Sequence, residues 1–320
     1  MKNISFVLLV CVVWLPLIAN AEDNAVYKEL VTQGIALANG KTITLPEPVM
    51  VDGLKADQQQ TIMTQVGPKA KSLLQSYLQG SSNAEFERKY TDEKGDKSED
   101  SIGRRIDLYF VAKGKFKVVA SEGFIKDQIA QQKQNGNQAN QPKRATNGKV
   151  EFYTDAELKQ RNLLVTNKNT LKDRYAHALV DLIGEVQVSG SGYGVETITD
   201  DSITMAFKLD PRLAKDAQFP NQYQTIKINA AGAPVLADPK PYAGFGGYAK
   251  ITKLEGSEDK VFVEYHLVFD EPYEWFNGTT ALVSKLDFSF QADIRKFRRN
   301  LLAYEKNLPA AAAPQPNSAK

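Results

Sequence analysis

The downstream half of this 320-residue chain repeats one pattern, in which apolar and polar residues alternate and no helical stretch intervenes between the runs. Ile203, Met205, Phe207 and Leu209 alternate with Ser202, Thr204 and Lys208, and Val186 with Val188 and Ile226 with Ile228 keep the same period. Successive side chains on a strand point to opposite faces, so each run buries one face. Residues 247–254 and 260–269 flank Glu255-Gly256-Ser257-Glu258-Asp259, a hairpin signature. Strands this close together, without crossover helices, pair antiparallel. A final helical pattern over 290–306 sets Ile294, Phe297, Leu301 and Tyr304 on one stripe. The fold class that follows is α+β: an antiparallel β-sheet in the C-terminal half packed by a C-terminal helix, with an N-terminal mixed helix/strand region.

In that N-terminal region, Val26, Tyr27, Leu30, Val31 and Ala38 recur at helical spacing, and Asn39-Gly40 reads as the helix stop. Pro46 and Pro48 force residues 43–51 to extend. Helical patterns over 56–66 and 70–78 are separated by Gly67-Pro68, a strand is expected over 105–112, and a helix near 122–131. Residues 131–149 contain no large apolar side chain and cannot offset the entropy of ordering, which marks a flexible polar linker or loop. The expected organisation is a signal peptide (1–21), an N-terminal α/β region (22–130), the linker (131–149), a β-rich α+β domain (150–308) and a disordered tail (309–320).

The signal reading has three parts. Lys2 precedes an uncharged apolar run from Ile4 to Ile18, Pro16 breaks it, and Ala19-Asn20-Ala21 is a small-x-small cleavage pattern. The run is shorter than the roughly 20 residues of a spanning helix. Cleavage near Ala21 would leave a periplasmic or extracellular protein. It would also remove Cys11, the sole cysteine, and with it any disulfide, thiolate ligand or cysteine nucleophile. The chain carries a formal charge of only +2, which provides no field to recruit nucleic acid. No cofactor is expected.

Four groups of residues invite chemistry. Asp96, Ser98, Asp100 and Asp107 occupy positions 1, 3, 5 and 12 of a calcium-loop register, but the turn glycine is replaced by Ser101 and the last ligand is Asp instead of Glu. A solvated acidic loop is the preferred reading, and no metal is expected. Glu264, His266 and Asp270 share one face of a strand, and a carboxylate beside an imidazole is the material of acid–base catalysis. Nine aromatics fall between Tyr242 and Phe276, where the chain average would give about three. Of these, Tyr242, Phe245, Tyr273, Trp275 and Phe276 lie in segments bordering the hairpin and are the candidate ligand-binding residues. They grip a ligand if exposed, and cap the sheet if they fold inward. Arg295, Arg298 and Arg299 line the last helix, where they meet an anionic membrane or cover the chain's own sheet.

Two further motifs fail on spacing. Gly34 to Thr42 has one residue too many for a phosphate loop. Ser191 has Ser189 and Tyr193 two positions either side, where a nucleophile elbow requires glycines. Asp210-Pro211, Pro241 to Gly246, Phe262-Val263-Glu264-Tyr265-His266, Asp270-Glu271-Pro272 and Arg295-Lys296-Phe297 together give a run from about 209 to 297 that resembles exported bacterial proteins with no assigned activity. That resemblance implies no function to transfer and favours a non-enzymatic role. The expectation is therefore an exported protein that binds an envelope partner or ligand without catalysis. The alternatives are a hydrolase using Glu264, His266 and Asp270, or a peripheral membrane protein held by its basic helix.

Overall fold

The protein is described by a computed structural model covering residues 24–97, 100–121, 123–124, 149–163, 173–182, 184–277, 279 and 281–308. The expected leader and tail, and the polar segment apart from Lys149, lie outside the described residues, as does most of the helix expected near 122–131.

The chain opens with α1 (Ala25–Thr32), a small hairpin of β1 (Ile35–Ala36) and β2 (Thr42–Ile43), then α2 (Ala56–Val66) and α3 (Lys71–Gln79). Next come β3 (Glu87–Lys94), β4 (Ile102–Lys113), α4 (Phe116–Val119), β5 (Lys149–Phe152) and α5 (Asp155–Gln160). Strands β6 (Asp173–Leu182), β7 (Val186–Ile198), β8 (Ser202–Leu209), β9 (Gln222–Ile228), β10 (Pro234–Leu236) and β11 (Lys240–Pro241) follow. The chain then forms β12 (Phe245–Lys253), β13 (Lys260–Glu271), the single turn α6 (Tyr273–Phe276) and the long α7 (Ala281–Asn307).

All strands except β1 and β2 form one antiparallel sheet, ordered β5-β6-β7-β8-β12-β13-β4-β3 along its main path. The fold is α+β, as the alternation requires. Strands from before and after the polar segment share this sheet, because β4 pairs with β13 along twelve rungs from Lys113–Lys260 to Ile102–Glu271. One strand has a divided edge. β7 pairs with β8 over Gly192–Ile198 and with β9 over Val186–Ser189, so β8 and β9 fork from the same side.

Both faces are covered. Val261, Val263, Tyr265, Leu267 and Phe269 of β13 join a core with Leu282, Leu286, Phe290, Ile294, Phe297 and Leu301 of α7. Those α7 positions recur every three or four residues and make one apolar stripe. Each such side chain contributes about 1.5–3 kcal/mol on full burial. On the opposite face, Val268 packs with Leu30 of α1, and Phe262 with Met63 of α2 and Tyr77 of α3. A strand buried on both faces reads as a nearly continuous apolar run, and 260–269 does so. The helix begins at Ala281, before the expected 290, and its first turns bury Leu282 and Leu286 on the same stripe.

One N-terminal expectation is corrected. The first helix stops at Thr32, not at Asn39-Gly40, and Gly34 (φ +75°) makes the turn out of it. A Cβ on Gly34 would lie 2.4 Å from the Ile43 carbonyl oxygen, so the left-handed turn and the close approach both demand glycine. Gly40 instead turns the β1–β2 hairpin.

Candidate ligand-binding crevice

The face of the sheet beneath the start of α7 is dented at two neighbouring rungs. Ala176 of β6 pairs with Gly192 of β7, and Ala178 with Gly190. All four lack a side chain beyond Cβ, so the helix above finds nothing to pack on. Gly192 is also held by close approach, since a Cβ there would sit 2.6 Å from the Lys208 carbonyl oxygen. The result is a crevice walled by Val180, Val188, Phe207 and Phe269 and roofed by Leu282 and Leu286. Its cavity volume is about 80 Å³, and the empty space counted out through the open mouth is about 870 Å³. An apolar occupant removes the apolar lining of this open crevice from water, which is favourable.

The aromatic candidates divide here. Tyr242, Phe245 and Trp275 line the crevice, whereas Tyr273 and Phe276 do not. Tyr242, Trp275 and Phe276 are buried, so these rings do not form an exposed platform. Trp275 stacks on Tyr242 with centroids 5.5 Å apart and meets Tyr223 of β9 edge-on at 5.4 Å. The Tyr242 hydroxyl donates to the Asp270 carbonyl at 2.9 Å, and burial raises its pKa. The buried Trp275 Nε1–H has no acceptor among the described residues. Lys208, at the rim, is ion-paired with Glu29. The small residues that make the hollow carry no sequence signal of their own. Only their cross-strand pairing reveals it.

Glu264 and His266 do come together, as strand alternation requires, but on the other face and wholly buried. Cross-strand register sets His266 between Asp107 and Tyr248, and Glu264 between Tyr109 and Lys250. The His266 Nδ1 is 2.8 Å from the Asp107 carboxylate, and its Nε2 is 3.6 Å from Glu264. Burial opposes a charged imidazole, but Asp107 and Glu264 outweigh it and hold the pKa above its ordinary value. Glu264 accepts from the backbone N–H groups of Val49 (2.8 Å) and Met50 (3.0 Å). Tyr248 donates to the Pro46 carbonyl at 2.7 Å, and Lys250 pairs with Asp52 at 2.8 Å. These side chains therefore pin the extended strap 46–52 over the sheet. They are buried against the strap's backbone. Asp270, the third candidate, is also buried, and that burial raises its carboxyl pKa.

Ser191 and His177 are adjacent as well, with Oγ and Nδ1 3.3 Å apart. Yet Ser191 is fully buried, donates to the Phe219 carbonyl at 2.8 Å and bonds the Tyr153 hydroxyl at 2.7 Å. That hydroxyl ties β7 to its covering loop. The calcium register does not close either. Asp107 lies mid-strand against His266, Asp96 is exposed, Asp100 accepts from the Lys97 N–H, and Ser98 lies outside the described residues. Of the three candidate arginines on the last helix, Arg298 is fully buried and donates to the carbonyls of Val111, Ala84 and Glu85. Arg295 is half-buried and Arg299 exposed, so the helix spends Arg298 on its own sheet and leaves Arg299 at the surface.

No family model and no curated protein matches this chain. Among solved structures, the human StarD13 (DLC2) lipid transfer and protein localization domain superposes with a TM-score of 0.33 at 6% identity, covering 67% of this chain and 89% of that one. Human STARD10 gives a TM-score of 0.33 at 7% identity, covering 81% and 86%. Superpositions at that score carry no argument, and the chain's own crevice has to speak for its ligand.

Proposed function

We propose that this chain is an exported, non-catalytic binding protein that holds an apolar small molecule between its sheet and α7. The observation that carries the reading is the Ala176–Gly192 and Ala178–Gly190 dent under Leu282 and Leu286, an apolar hollow open to solvent at one side. Such concave, mostly apolar sites with few polar groups are the usual form of small-molecule sites. The lining is almost wholly apolar, so the fitting ligand is an alkyl chain or an apolar ring, as in the tail of a fatty acid or ester. Export rests on the leader pattern at 1–21.

The test is binding of an environment-sensitive apolar fluorophore, 1-N-phenylnaphthylamine, with oleate as competitor. The unsubstituted protein should give a saturable signal that oleate displaces. Ala178→Phe, which plugs the hollow, should lose that signal while its unfolding midpoint holds or rises. Equal binding by both proteins, or none by either, would refute the reading.

A further inference from the structure

The floor of the crevice belongs to a longer row. On β7 the row runs Val188, Gly190, Gly192, Gly194, and opposite these on β6 stand Val180, Ala178, Ala176 and Arg174. Residues two apart on a strand share a face, so all eight lie on the crevice side of the sheet. The two ends of the row differ. Val180 and Val188 pair directly and close one end with apolar bulk. At the other end, the rung beyond Ala176–Gly192 is Arg174–Gly194, where the glycine sets no side chain across from the arginine. Two residues of strand rise about 7 Å, so Arg174 is rooted that far from the Ala176 rung.

The guanidinium leans over β5. Its Cζ lies 5.2 Å from the centroid of the Phe152 ring, and Phe152 pairs with Ala176 and packs against the crevice side of the core. Val150, Ala178 and Gly192 are half-buried, as are Phe152 and Arg174, whereas Trp275, Leu282 and Leu286 are buried. The crevice therefore opens toward the strands that carry the arginine. Among the described lining residues only Lys208 carries a charge, and its ammonium pairs with Glu29 of α1, on the other face. An ionised head group drawn into the hollow itself would lose its hydration without a partner, which is costly. One left at the Arg174 end keeps part of its water and meets a guanidinium fork, which holds a carboxylate through two parallel N–H···O bonds. Five N–H donors allow this beside the contacts that Arg174 makes within the fold.

We infer that Arg174 selects the ligand of the crevice, a single-chain anionic amphiphile whose hydrocarbon lies on the Ala176–Gly192 and Ala178–Gly190 floor and whose carboxylate meets the Arg174 guanidinium. This rests on the crevice being a ligand site, and it names the fatty acid in preference to its ester or alcohol. The chain enters tail-first and stops against Val180 and Val188, which leaves the acid at the arginine end.

The experiment is displacement of 1-N-phenylnaphthylamine from the full chain by decanoate, decanol and decyltrimethylammonium at about pH 8, where a carboxyl is ionised. Arg174→Gln should weaken competition by decanoate about tenfold and leave the fluorophore, decanol and decyltrimethylammonium no weaker than before. Arg174→Lys should keep part of the decanoate affinity, since an ammonium retains the charge without the fork. In the unsubstituted chain, added salt should weaken decanoate and not decanol. If Arg174→Gln costs decanoate no more than it costs decanol, the inference is overturned, while fluorophore binding that only Ala178→Phe abolishes leaves the crevice reading standing. If salt acts on decanoate and decanol alike, the inference is overturned equally, and this measurement holds even should Arg174→Gln not fold. If the fluorophore does not bind the unsubstituted chain at all, the crevice reading fails and this inference falls with it.

Discussion

Replacing Glu264 by glutamine keeps the side chain's size and removes one acceptor. In the structure both carboxylate oxygens are used, one by each of the Val49 and Met50 N–H groups. The amide can accept from only one of them and turns its own N–H2 toward the other. A lost charge-assisted bond is worth about 1.5–3 kcal/mol, and a buried N–H without an acceptor costs about 1–3 kcal/mol. Since Val49 is only half-buried, the expected destabilisation is about 2–4 kcal/mol. The variant also takes one negative neighbour from His266, whose folded pKa lies above its unfolded value of about 6.5. A raised histidine contributes stability that is fully present below the unfolded pKa and is lost as pH rises through the folded one. The Glu264→Gln deficit should therefore be largest near pH 6 and smaller near pH 9, falling as pH rises through the raised folded-state pKa of His266. Urea unfolding at the two pH values measures this, and hydrogen exchange of residues 46–52 locates it. Equal deficits at both values, or unchanged protection at Val49 and Met50, would refute the assignment of this cluster as the anchor of the strap.

Arg298→Met should cost about 2–4 kcal/mol in urea unfolding, because the carbonyls of Ala84, Glu85 and Val111 lose their donor together. Arg298→Lys should recover only part, since one ammonium cannot span the guanidinium's fork. Gly34→Ala should lose more than about 2 kcal/mol, adding the left-handed penalty to a contact with backbone that cannot withdraw. Phe288→Ser, on the outer side of α7 at 75% exposure, should change stability by no more than about 0.5 kcal/mol. A larger loss would show that this ring is covered in solution.

The elements with a period of their own were legible in the sequence. Ile203 to Leu209 and Val261 to Phe269 announce their strands, and the stripe from Ile294 to Leu301 announces the helix that packs on them. Their long-range partners were not. Nothing local in Ile106, Leu108 and Phe110 says that β4 lies beside β13, some 150 residues away, and not in a separate N-terminal unit. The sharing of a face by Glu264 and His266 follows from alternation, but the strap that closes over them is an irregular segment whose course no periodicity encodes. The crevice was hidden for the opposite reason. Ala176, Ala178, Gly190 and Gly192 act through what they lack, and a scan for apolar side chains passes over them. The aromatic cluster was visible as a composition, and only packing tells Trp275 and Tyr242, at the hollow, from Phe276, outside it.

The divided edge of β7 has a consequence for how this molecule can change. Four rungs to β7, the Ile226 N–H to Glu185 carbonyl bond and two rungs to β11 hold β9, and none of the pairings from β5 through β3 passes through residues 227–237. Lengthening, trimming or recharging that projection alters what the protein touches without disturbing what keeps it folded. Variation in reach and in cohesion is thereby uncoupled, and the outward ribbon is free to be retuned as a replaceable fitting on a fixed frame.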